Sequence, residues 1–141
     1  MSTNVERYRA THEAFNRRDF ESMIEHMAPA MKFVDPARGV TTTGPDEFVS
    51  LCKQEIQAAS DARVENAQYF DAGQAVVGRF MTCGTHDGDM AGIPATGKTY
   101  AVPVLEIAHF DEHDKMSLVE IFYDLRSLLD QLGISLVPAS A

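Results

Sequence analysis

A single acid interrupts an otherwise apolar run of this chain. From Ala101 to Phe110 the residues read AVPVLEIAHF, and Glu106 stands alone among them as a carboxylate. Strand alternation puts Val102, Val104, Glu106, Ala108 and Phe110 on one face. The other face carries Ala101, Pro103, Leu105, Ile107 and His109. With both faces apolar, this reads as a central strand covered on each side. A carboxyl held away from water there must find a partner or take up a proton.

Several other side chains have types that suit chemistry. His12 shares a predicted helical arc with Val5, Tyr8 and Phe15, where a hydrogen-bonded core histidine and a cavity-lining one are both open. Arg79 is an inward partner for Glu106 if Val77, Met81 and Cys83 face the core, and an outer charge if Val76, Gly78, Phe80 and Thr82 do. Glu65 lies in Arg63-Val64-Glu65, on a strand whose alternation leaves its side undecided. His86-Asp87-Gly88-Asp89 looks faintly like a metal loop, but Asp-Gly is ordinary turn chemistry, and no second cluster stands at ligand spacing. No phosphate-binding Gly-rich loop, serine-nucleophile elbow or Cys/His nucleophile arrangement is present.

The elements that must position these groups are legible from caps and periods. Thr3-x-x-Glu6 is a capping box that opens the first helix. Asp19 caps a second, with Phe20, Met23, Ile24 and Met27 inward and Pro29 closing it. A short strand from Met31 to Asp35 ends at Asp-Pro and the turn Ala37-Arg38-Gly39. A third helix follows Gly44-Pro45, with Phe48, Leu51, Cys52, Glu55, Ile56 and Ala59 as its stripe and Glu55 its one charged member. The period then changes to two. Strands are expected over Arg63–Phe70, Gln74–Cys83, Ala101–Phe110 and Met116–Tyr123, before a short helix Leu125–Leu132 stopped by Gly133. Helices followed by a mostly antiparallel sheet make an α+β fold. One domain is expected over residues 1–141, with a loosely held tail from about Ile134.

Composition narrows the partners. The chain has 141 residues, 45% hydrophobic, with a formal net charge of -9, which disfavours nucleic acid and anionic membranes. Two cysteines, Cys52 and Cys83, make no disulfide framework. With no apolar signal segment, the reading is a cytoplasmic protein. Methionines and phenylalanines in quantity suit a pliable interior for a small apolar organic ligand.

Four pieces of sequence resemble the SnoaL-like polyketide cyclases, within the cone-shaped α+β barrels that include ketosteroid isomerases and limonene epoxide hydrolases. They are Phe15-Asn16-Arg17-Arg18-Asp19; Phe33-Val34-Asp35-Pro36; Gly84-Thr85-His86-Asp87-Gly88 with Gly92-Ile93-Pro94-Ala95-Thr96-Gly97-Lys98; and Asp124-Leu125 through Leu129-Asp130-Gln131-Leu132-Gly133. The resemblance implies a cone with an internal pocket, no cofactor or metal, and a homodimer formed through the outer sheet face. It places Asp35 where the isomerases keep their general base. Glu106 falls where they keep a protonated acid that hydrogen-bonds the substrate oxygen.

Two positions depart from that pattern. Thr11 falls where the isomerases keep a tyrosine, although Tyr8, one turn earlier, is placed to reach the same cavity. Ile121 falls where many cyclases and epoxide hydrolases keep an aspartate. Asp124, of opposite strand parity, is expected to cap a helix.

An Asp35–Glu106 pair in one apolar pocket could hold one carboxylate and one neutral acid. That suits proton abstraction beside a carbonyl, ring closure through an enol, or water attack on an epoxide. Tyr8, His12, Phe15, Glu65, Arg79 and Ile121 are the auxiliary pocket residues. The leading expectation is a cofactor-free acid–base enzyme acting on a small apolar carbonyl or polyketide-like compound. The alternatives are an epoxide hydrolase or epoxide-opening cyclase, using Asp35 with Glu65 or Glu106, and a binding protein that lost the chemistry.

Overall fold

The fold is seen in a computed structural model that describes residues 2–135. The Thr3–Glu6 capping box forms as the sequence requires, and α1 runs Asn4–Arg17 until Arg18 adopts a left-handed conformation. Then follow α2 (Phe20–Met23), β1 (Met27–Asp35), β2 (Val40–Thr43) and α3 (Pro45–Ala58). The second half comprises β3 (Arg63–Asp71), β4 (Ala75–Thr85), β5 (Thr99–Phe110), β6 (Met116–Tyr123) and α4 (Leu125–Gln131).

The strands form one curled sheet in the order β2-β1-β6-β5-β4-β3. Every neighbouring pair is antiparallel except β1 and β6, which run parallel. Helix α1 packs across β3 and β4, and α3 across β1 and β2. The core fills the space between helices and sheet, with Tyr8, Phe15, Met23, Met31, Phe33, Val76, Ala108 and Val119 among its members.

The second helix is shorter than its apolar spacing suggests. It stops after one turn, and Met27 opens a strand instead of closing a helix. Pro29 is therefore inside β1. It lies in the stretch between Met27 and Lys32 where the β1–β6 register shifts, so its missing N–H breaks no regular ladder. Strand β2 follows a turn the sequence did mark, but its own residues, VTTT, carried no apolar alternation. Asp124 does cap α4, its carboxylate accepting from Ser127 N at 3.1 Å.

The expected loose tail from Ile134 falls mostly on residues 136–141, outside the described ones; Ile134 itself donates its N–H to Leu129 O at 2.8 Å. Among the described residues no helix is long and apolar enough to cross a membrane.

Candidate active site

Register decides which side chains share the concave face. Glu106 pairs with Gly78 on β4 and with Ile121 on β6. Val76, Phe80 and Thr82 therefore point the same way as Glu106, as do Val119 and Tyr123. On β1, Val34 pairs with Glu120, so the next residue, Asp35, comes level with Ile121. Asp35 and Glu106 thus stand on the same face, one on each side of Ile121, two inter-strand spacings or about 10 Å apart. Both are buried, at 2% and 7% exposure, whereas Ile121 between them is only half-buried. Water therefore reaches the floor between two sheltered carboxyls.

Each carboxyl has its own set of donors. The Tyr8 hydroxyl donates to Glu106 Oε1 at 2.5 Å, and His12 Nε2 lies 3.1 Å from the same oxygen. His12 Nδ1 lies 2.8 Å from the Tyr69 hydroxyl. With the proton on Nε2, the imidazole donates to Glu106 and accepts from Tyr69. Burial, reinforced by the Glu106 charge and hydrogen bond, pushes the Tyr8 phenol far up, so it remains a donor. Burial likewise pushes Tyr69 up to about 12, with Arg9, 5.3 Å over its ring, pulling the other way. Both hydrogen bonds to Glu106 from described residues end on Oε1, and Oε2 takes neither of them.

Asp35 is more fully engaged. Its Oδ1 accepts from Arg38 N at 3.2 Å, and its Oδ2 accepts from Arg38 Nε at 3.0 Å and from the Tyr123 hydroxyl at 2.7 Å. The i to i+3 bond is the Asp-Pro turn closing on itself. Burial, then the bond to Asp35, raises Tyr123. For Arg38, burial is the largest single influence and lowers it, but the Asp35 bond together with the charges of Tyr123, Asp35 and Glu55 raises it overall. Asp35 thus holds a guanidinium and a phenol beside the concave face of the sheet.

The other sequence-derived candidates divide. Tyr8 and His12 join Glu106. Phe15 is core, with the Arg18 guanidinium 5.2 Å over its ring. Thr11 is buried and turned to its own helix, donating to Arg7 O at 3.3 Å. Arg79 is exposed on the convex face, so it is no pocket residue and no partner for Glu106; the row Val76, Gly78, Phe80, Thr82 is the inner one.

Glu65 also lies off the concave face. It pairs with Met81 on the convex side and accepts from Arg63 Nε at 2.6 Å, so it forms no acid pair with Asp35. It borders a separate cleft of about 400 Å³ together with Asp61, Arg63, Cys83, Thr99 and Gln131, which contains neither Asp35 nor Glu106. His86 turns inward to Thr96 Oγ1 at 3.0 Å, and no group of three or more potential metal ligands occurs among the described residues.

Three groups escaped sequence reasoning: Tyr123, Arg38 and Tyr69. Signals existed for two of them. Tyr123 shares the Val119–Ile121 row, and Arg38 lies three residues beyond Asp35, the spacing at which an Asp side chain meets a turn N–H.

Comparison with known proteins agrees with this architecture. None of the curated proteins compared matches the chain. Among solved structures, wild-type IdmH from Streptomyces antibioticus, described as a candidate polyketide cyclase, aligns with a TM-score of 0.80 at 20% identity, over 94% of this chain and 100% of its own. A candidate SnoaL-like polyketide cyclase from Jannaschia sp. CCS1 aligns at 0.83 and 18% identity, over 96% and 93%. A protein of ketosteroid isomerase-like fold from Catenulispora acidiphila DSM 44928, in complex with trimethylamine, aligns at 0.77 and 21%, over 96% and 100%. At these identities the likeness is one of fold. The family profile of the SnoaL-like polyketide cyclases matches residues 5–132, nearly the whole chain, and the protein belongs to that family.

Proposed function

We propose that the protein is a cofactor-free acid–base enzyme that moves a proton on a small, largely apolar carbonyl or polyketide-like compound, as a cyclase or isomerase. The observation that carries this is Glu106: a buried carboxyl oriented through one oxygen by Tyr8 and His12, with its second oxygen taking neither bond. A base placed in that way has little orientational freedom left to lose. Asp35 has a different part here from the general base that the resemblance implies. Engaged by Arg38 and Tyr123, it holds a guanidinium whose remaining N–H groups can meet an enolate oxygen as it gathers charge.

The test is solvent exchange. With 2-indanone in D2O as the probe ketone, the protein should accelerate loss of the α-protons, followed by NMR. Asp35→Asn, which leaves the Glu106 base in place, should slow exchange less than Glu106→Gln does. The reverse order would return the base to Asp35, and no acceleration by the wild-type protein would leave a binding protein.

The convex face supports a second copy of the chain as partner. Leu105 and Phe122 are cross-strand neighbours there, 43% and 41% exposed, and Phe70 on the same face is 52% exposed. Covering them in a homodimer would remove an apolar surface from water. Phe122→Glu should lower the sedimentation coefficient to that of a monomer, and unchanged sedimentation would remove this surface from consideration.

A further inference from the structure

Strand β3 changes step part-way along. Up to Glu65 it pairs regularly with β4, and from Gln68 it pairs again one residue out of register, so Asn66 and Ala67 together oppose Phe80. Asn66 absorbs the extra residue with a left-handed backbone, φ 53°, a conformation that asparagine tolerates better than most residues. An unbroken ladder would set Tyr69 opposite Val77, on the convex side with Arg79. The bulge sets it opposite Gly78 instead, and re-aiming a side chain is what bulges beside sites do. Tyr69, Gly78 and Glu106 then form one row across β3, β4 and β5 on the concave face.

Helix α1 lays two rings over that row. Tyr8 occupies the room left by Gly78, and the Tyr69 ring meets it edge-on with 5.4 Å between centroids. The Tyr69 hydroxyl lies 2.8 Å from His12 Nδ1, and His12 Nε2 lies 3.1 Å from Glu106 Oε1. Among the described residues that hydroxyl has no other hydrogen-bond partner. A path of two hydrogen bonds therefore joins Tyr69 to the carboxyl, through an imidazole that is 8% exposed.

Such a path can run in two directions. In one, Tyr69 donates to Nδ1, Nε2–H donates to Oε1, and Oε1 accepts from His12 and Tyr8 together. A proton taken up by Glu106 must then lie on Oε2. In the other, Nδ1–H donates to Tyr69, and Oε1 carries a proton that it donates to Nε2. Glu106 is then an acid whose proton sits on the oxygen held by the helix. Only the first direction leaves a base for the substrate. Which ring nitrogen bears the proton is set by the bond the other one makes, so the choice falls to Tyr69.

We propose that Tyr69 is a positioning residue for Glu106: by donating to His12 Nδ1 it keeps the imidazole proton on Nε2, and so confines the proton exchanged with substrate to Oε2. This rests on the reading of Glu106 as base. The substrate C–H bond breaks and its proton forms the O–H bond at Oε2. The freed electron pair becomes the C=C bond, and the carbonyl π pair moves onto oxygen to give an enolate. The return step delivers the proton to the same carbon or to one conjugated with it. His12 and Tyr69 neither gain nor lose a proton in either step. Burial pushes the Tyr69 phenol up to about 12, so the hydroxyl keeps the proton it must donate.

The test pairs a ring spectrum with turnover in the whole chain. Long-range proton–nitrogen NMR correlations of the His12 ring at neutral pH should show the Nε2–H tautomer alone in the wild-type protein. Tyr69→Phe keeps the ring and removes the donor. Water entering there accepts as readily as it donates, so both tautomers should appear. The kcat for 2-indanone exchange should fall about 10–100-fold, the scale seen when a metal-binding histidine loses the partner that orients it, with KM little changed. Tyr69→Leu should match Tyr69→Phe in spectrum and kcat but lose more Tm, since it also removes the ring contact with Tyr8.

An Nδ1–H tautomer or an imidazolium in the wild-type protein would overturn the assignment. So would a Tyr69→Phe protein that keeps either the wild-type spectrum or the wild-type kcat, and Tyr69 would then be packing alone while Glu106 remained the base. Full exchange in Glu106→Gln, or none in the wild-type protein, has a different meaning: the base itself is lost, and the role of Tyr69 goes with it.

Discussion

Glu106→Gln should lower kcat/KM for ketone proton exchange by roughly 10²–10⁴ while leaving the fold in place. The amide oxygen of Gln can still accept from Tyr8 and His12, so the side chain keeps its pose; the second oxygen becomes an NH2 that cannot take a proton. The Tyr8 bond loses its charge assistance, at a cost of about 1 kcal/mol in unfolding free energy. Glu106→Leu should behave otherwise. It leaves the Tyr8 hydroxyl and the His12 imidazole buried without their partner, at about 1–3 kcal/mol for each group stranded. Chemical denaturation beside the exchange assay separates the two variants: Gln takes the chemistry and Leu takes the stability too. Full turnover in Glu106→Gln would remove the base.

Gly78→Ala should be the most damaging single methyl group near the site. Gly78 sits directly opposite Glu106, and a Cβ there would come within 2.6 Å of Tyr8 Oη and Cε2. Tyr8 cannot simply step aside. It is 1% exposed, with the His12 ring centroid 4.6 Å and the Tyr69 centroid 5.4 Å away. Overpacking of this kind costs about 1–3 kcal/mol, and the phenol must leave Glu106 as well. The double variant Gly78→Ala/Tyr8→Ala should be more stable than the sum of the two single changes allows, because the new methyl then fills part of the vacated space. A Gly78→Ala protein with wild-type stability and activity would mean that Tyr8 does not hold Glu106.

That glycine also shows where the sequence is readable and where it is not. Glu106 is conspicuous because an acid in an apolar strand needs an account wherever the strand lies, and the first helix announces itself by its capping box and its Tyr8–His12–Phe15 stripe. The side on which Arg79 lies was not legible. Both rows of β4 are apolar, since the convex face is nearly as greasy as the concave one, and alternation fixes parity but not which side is inside. The register opposite Glu106 settles it, and a glycine there makes sense only once Tyr8 is known to need the room.

Glu65 fails for a related reason. It is an edge-strand acid with a cation two residues away, which the spacing Arg63-x-Glu65 allows but does not demand. Tyr123 was in view as a residue and missed as a partner, because its meeting with Asp35 depends on the parallel pairing of β1 with β6, which no local pattern records; Arg38 was missed although its spacing from Asp35 is a local turn signal. The second helix misled for the plainest reason. Phe20, Met23, Ile24 and Met27 fit a helical stripe, but Met27 buries as well by starting a strand.

Strand β6 has a consequence for how this protein comes into being. It is the last of the six strands of this sheet in chain order, and it is the one that joins the β2–β1 ladder to the β5–β4–β3 ladder. Until residues 116–123 leave the ribosome, the two pieces of sheet have no common edge, and the parallel contact with β1 spans most of the chain. Asp35 and Glu106 are brought level only by this closing seam, with Ile121 between them. During synthesis the two halves of the pocket must wait for one another, so the site can be assembled only once residues 116–123 have emerged.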